Sequence, residues 1–100
     1  MPGEISNLPY PGKLISAVIP TIVGSVLVLR QNPKRKTALF VNDSITTMYL
    51  AKNLTAAVNT GIRLNPNGGS YEINSTNPYY GPISVACSVA AQNLLWQEEE

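Results

Sequence analysis

From Asn32 onward, turn-forming residues return roughly every 8–12 residues, a spacing that leaves room for short strands and little else. Asn32-Pro33 is the first signal and Asn42-Asp43-Ser44 the second. Asn65-Pro66-Asn67-Gly68-Gly69 is the strongest, because Asn-Gly accepts the positive φ of a tight turn. Ser75 to Pro82 (STNPYYGP) is a further loop. Short apolar or alternating runs fill the intervals. Residues 36–42 carry Leu39, Phe40 and Val41, and residues 46–52 alternate Thr46, Met48 and Leu50 against Thr47 and Tyr49. These two runs and their turn read as a hairpin. Ile62 and Leu64 make a short strand, and residues 70–74 place Tyr71 and Ile73 on one face with Glu72 on the other. The turn between these two strands is a hairpin signal as well. Residues 83–89 and 92–97 read as a last strand pair around Ala90 and Ala91, while residues 54–58 suit either one helical turn or a loop.

The longest apolar stretch, Leu14 to Leu29, bears on membrane insertion. It is shorter than the ~20 residues a spanning helix requires, and Pro20 interrupts it. Its β-branched content (Ile15, Val18, Ile19, Thr21, Ile22, Val23, Val26, Val28) favours two strands joined by a bend near Pro20. Before it, Pro2, Gly3, Pro9, Pro11 and Gly12 punctuate residues 1–13 and predict an extended arm with no core of its own. Ile5, Leu8 and Tyr10 would anchor that arm on a neighbouring subunit. The expected fold is all-β: a small antiparallel β-sandwich, jelly-roll-like, over residues 14–100, with an extended N-terminal arm over 1–13. No signal peptide is evident in residues 1–10, which lack a basic start and an apolar stretch.

Composition argues against chemistry. There is no His, a single Cys (Cys87), and six acidic residues, of which Glu98, Glu99 and Glu100 are consecutive. General acid–base catalysis, nucleophile activation and transition-metal binding draw on the residue types this chain lacks. Asp43 and Glu72 are the other carboxylates of the expected core, and nothing in the sequence pairs them. The expectation is no enzyme activity, no metal and no cofactor. Cys87, between Ala86 and Ser88, reads as a small buried hydrophobe. A net charge of +1 provides no field for nucleic acid. Charged residues are 13% of the chain, about half the usual share, while apolar types reach 44%. A small domain with so few charges exposes apolar surface, which marks a partner or a membrane. The Asn-x-Ser/Thr triplets at Asn42, Asn53 and Asn74 read as turn chemistry.

Several side chains are candidates for that contact. Arg30, Lys34, Arg35 and Lys36 surround a turn and form either a patch for an acidic partner, with Arg35 as its contact, or a solvated loop. Tyr79 and Tyr80, between Pro78 and Gly81, either present aromatic area to a partner or plug the end of the sandwich. Trp96 either caps the core or anchors a subunit contact. The terminal glutamates are a frayed, solubilising end or pair with the basic turn of a neighbour. The loop Asn67-Gly68-Gly69-Ser70 lacks the Lys-Ser/Thr of a phosphate-binding loop.

A basic turn runs into TALFVNDSITTMYLA, then NTGIRLNPNGGSYEIN, then NPYYGPISVACS and a short closing strand. This succession, over about the last two-thirds of the chain, resembles small β-sandwich proteins encoded among the structural genes of tailed bacteriophages. The resemblance implies a virion component without catalysis or cofactor: a capsid decoration (cement) protein on the capsid surface. Its partners would be the major capsid protein and sister copies, as a dimer or trimer, with neither nucleic acid nor membrane. Ile5, Leu8, Tyr10, Arg35, Tyr79, Tyr80 and Trp96 would make the contacts. A neck, tail or receptor-binding component, touching a host glycan or tail partner through the Tyr79–Tyr80 loop, is the alternative. A small protein anchored in a membrane by residues 14–29 is a second.

Overall fold

A computed structural model describes residues 14–20 and 24–100, with side chains from Gly24 onward. The arm expected over residues 1–13, with Ile5, Leu8 and Tyr10, lies outside the described residues. Eight strands are present among those described: β1 (Leu14–Pro20), β2 (Gly24–Leu29), β3 (Thr37–Asp43), β4 (Met48–Ala51), β5 (Ile62–Leu64), β6 (Ser70–Ile73), β7 (Ile83–Cys87) and β8 (Asn93–Glu99). They form two four-stranded sheets, ordered β1-β8-β3-β6 and β2-β7-β4-β5, with every pair antiparallel. The pairs β1·β8, β2·β7, β3·β6 and β4·β5 are the rungs of one long hairpin. Rolled over, that hairpin gains β3·β8 in one sheet and β4·β7 in the other, which makes it a jelly-roll β-sandwich. The fold is therefore the all-β sandwich the sequence predicts, and the 14–29 segment is two strands, β1 and β2, in different sheets. No helix of the described residues is long and apolar enough to cross a membrane.

Alternation decides which faces meet. In β3, Ala38, Phe40 and Asn42 are buried while Leu39 and Val41 lie half-buried on the outer face. In β4, Met48 and Leu50 are buried between half-buried Tyr49 and Ala51. Tyr71, Phe40 and Trp96 stand abreast on the inner face of the first sheet, in register across β6, β3 and β8. Such cross-strand aromatic pairs contribute about 0.2–1 kcal/mol each. They pack against Met48, Leu50, Leu64, Ile83, Val85 and Cys87 of the second sheet. Cys87 is fully buried, as expected, with its thiol 3.7 Å from the Thr47 carbonyl. All five residues of β7 are buried because the 52–61 loop covers its outer face. There the Ser84 hydroxyl donates to the Asn53 carbonyl at 3.0 Å, and the Ala56 amide donates to Ser25 Oγ at 2.9 Å. Residues 54–58 are loop, with no helical turn.

The hairpin expectations require correction. β3 and β4 are not hydrogen-bonded to one another, nor are β5 and β6, nor β7 and β8; each consecutive pair is split between the sheets. Among the described strands, only β4 and β5 are consecutive and paired. A turn joining two half-buried strands satisfies the same pattern whether the strands pair edge to edge or face each other across the ~10 Å gap of a sandwich. Asn67 and Gly68 do adopt the positive φ that Asn-Gly tolerates, Asn67 at 60° and Gly68 at 110°. Their amides donate to the carbonyls of Ser44 and Asn42, both at 2.8 Å, docking this turn on the β3–β4 turn.

Asn42 organises that end. Fully buried, its Nδ2 donates to the carbonyls of Thr46 at 2.8 Å and Leu64 at 3.0 Å, and its Oδ1 accepts from Ser44 Oγ at 2.6 Å. A side chain from one sheet thus satisfies backbone at the end of the other.

Candidate functional site

The opposite end gathers the β2–β3 connection (residues 30–36), the β6–β7 loop (74–82) and the end of β8. Arg35 is its hub. Expected at a partner surface, Arg35 is instead 2% exposed. Its Nε donates to Glu98 Oε2 at 2.7 Å, Nη1 to the carbonyls of Tyr79 (3.0 Å) and Gly81 (2.9 Å), and Nη2 to the Arg30 carbonyl (2.8 Å). A guanidinium can hold this many acceptors in fixed directions where an ammonium cannot. The alternation of β8 that buries Leu94 also turns Glu98 inward, so the only way to keep its carboxylate buried is to pair it. The glutamates are therefore not a frayed end: Glu98 and Glu99 complete β8, and Glu98 pairs within its own chain.

Asn32 adds a second layer. Its Nδ2 donates to Glu98 Oε2 at 3.2 Å and to Glu100 Oε2 at 3.0 Å, its amide donates to the Tyr80 carbonyl at 2.8 Å, and its Oδ1 caps the Lys34 amide at 3.0 Å. Lys36 N donates to the Glu99 carbonyl at 2.8 Å. The consequence falls on Tyr80. The carbonyls of Tyr79, Tyr80 and Gly81 are each held by Arg35 or Asn32, so the backbone that carries this ring is fixed on both sides.

The two tyrosines divide the roles that the sequence left open. Tyr79 folds inward, packs on the core and donates from its hydroxyl to the Pro82 carbonyl at 3.0 Å. Gly81 permits this, since a Cβ there would overlap the end of the Tyr79 ring. The Lys52 ammonium stands 5.3 Å from the Tyr79 ring centroid and 5.8 Å from that of Tyr71. Tyr80 turns outward and remains 51% exposed. It borders an open cleft of about 530 Å³ with Pro33, Lys34, Lys36 and Glu100, floored by Arg35. Trp96 lies mid-strand in β8 with its ring on the core, and its buried Nε1 has no hydrogen-bond partner.

Arg35, Tyr79 and Tyr80 thus converge at one end, with Trp96 farther along β8 in the core. The sequence reading missed Asn32 and Glu98 as the groups that fix Tyr80; the inward phase of Glu98 relative to Leu94 was the available signal. Among the described residues no group of three or more His, Cys, Asp or Glu could hold a metal ion. No family model, no curated protein and no solved structure matches this chain.

Proposed function

We propose that this chain is a structural protein of a tailed-bacteriophage virion, a decoration protein that stabilises the head by binding between capsid subunits and to sister copies. The observation that carries the reading is the asymmetry of the sheet edges. On one side, β5 (three residues, with Arg63) and β6 (four residues, with Glu72) are short and charged, as edges that avoid other chains tend to be. On the other, β1 and β2, the outermost of the described strands, run seven and six residues without a charge. In β2, Val26, Leu27 and Val28 remain only half-buried. A long uncharged edge is a template for another strand or an apolar partner. At the Asn42 end, Ile45 (82% exposed) and Val89 (45%) add apolar side chains on the β3–β4 and β7–β8 connections.

The purified chain should co-sediment with assembled empty heads and raise their melting temperature, with hundreds of copies per particle. A chain that leaves heads unbound and their melting unchanged would overturn the reading.

A further inference from the structure

We infer that the cleft beside Tyr80 binds a neutral saccharide. The inference goes beyond the assembly role, and the cleft lies at the opposite end of the sandwich from Ile45 and Val89. Three observations carry it.

The first is the ring itself. An aromatic side chain left half-exposed while its backbone is clamped has already lost the backbone freedom that binding would otherwise remove. Arg35 and Asn32 provide that clamp through the carbonyls of residues 79 to 81. Their own charges and amides are consumed internally, so they present the ring without competing for a ligand.

The second is the balance of charge around it. Lys34 and Lys36 are exposed, and among the described residues no ion pair engages either ammonium. Glu100 lines the same cleft, with Oε2 already accepting from Asn32. An anionic ligand drawn to the lysines meets the Glu100 carboxylate, and a cationic ligand drawn to Glu100 meets two ammonium groups. A polyhydroxylated neutral molecule avoids both conflicts, since each hydroxyl both donates and accepts. It can give a hydrogen bond to Glu100 while receiving others from Lys34 and Lys36.

The third is shape. The cleft is open, so a ligand would lie on the Tyr80 ring rather than be enclosed. Pro33 and Tyr80 supply its apolar surface. A pyranose has an apolar face of C–H bonds and a polar rim of hydroxyls, which matches an aromatic ring flanked by charged donors and an acceptor.

The test is saturation-transfer NMR of the full chain with a panel of neutral probes: maltotriose, chitotriose, lactose and methyl mannoside. At least one should receive saturation, strongest at the C–H protons of one ring face. Tyr80→Ala should weaken its binding by about tenfold or more, whereas Tyr80→Phe, which keeps the ring, should stay within about threefold. Tyr80 is exposed, so both variants should melt with the parent chain. Ile45→Ser, at the other end, should bind as the parent does. No transfer from any probe, or transfer that survives Tyr80→Ala, would overturn the inference. So would binding of heparin alone that depends on Lys34 and Lys36 but not on Tyr80.

Discussion

Arg35 and Glu98 are the residues on which one end of this molecule depends, because neither can be removed singly without leaving the other charged and dry. Arg35→Met should therefore destabilise the chain by about 3–5 kcal/mol. The double variant with Glu98→Gln should recover part of that loss, giving a coupling energy above about 1 kcal/mol in a denaturant cycle. Arg35→Lys should behave like the loss of the residue rather than its conservation, since one ammonium cannot reach Glu98 and the three carbonyls together. At the other end, Asn42→Ala strands the Leu64 and Thr46 carbonyls. A cost of about 1–3 kcal/mol is expected, read as a fall in Tm of roughly 4–8 °C per kcal/mol. Both residues looked like surface features in the sequence. A basic turn and an Asn-Asp-Ser cluster are composed of residue types that solvent ordinarily keeps, and their burial depends on loops brought in from distant parts of the chain.

At the scale of strands, alternation made the elements legible and left their pairing open. Thr37–Asp43 and Met48–Ala51 are recognisable because every second residue is apolar, and that same pattern says nothing about which neighbour each strand hydrogen-bonds. The break at Pro20 correctly divided β1 from β2. The 52–61 loop was not legible, since its role depends on Ser25 and Ser84, two small polar residues in apolar strands that bond to it. β2 makes the strand-scale prediction. Leu27 points to the outer face of an edge strand, in register with Ser84. Leu27→Lys should lower self-association and head binding, measured by sedimentation, while leaving Tm within about 1 °C, because a single charge on an edge deters pairing without disturbing the core. Unchanged association would remove β2 from the interface.

At the scale of the whole molecule, the rolled hairpin makes the fold dependent on its most distant contacts. β1 pairs with β8, and β8 also pairs with β3, so β8 is the strand that holds three elements of one sheet together. Removing residues 93–100 should abolish the cooperative unfolding transition rather than lower its midpoint. The intact chain should fold in the millisecond-to-second range, since long-range pairs close late. The lone Trp96, in the middle of β8, would report that step by stopped-flow fluorescence. The functional reading scales the same way: an uncharged edge on one side, an apolar tip at one end, and a held aromatic ring at the other give three surfaces with separate chemistries.

Leu14 and Glu99 are register partners on adjacent strands, so the first and last described strands lie side by side. A circularly permuted chain, with a short linker from residue 100 to residue 14 and new ends opened within residues 54–60, should keep every rung of both sheets. Cargo fused at those new ends would emerge from the flank of the second sheet, away from both the tyrosine cleft and the Ile45 tip, which makes this fold a scaffold that can be rewired without losing either surface.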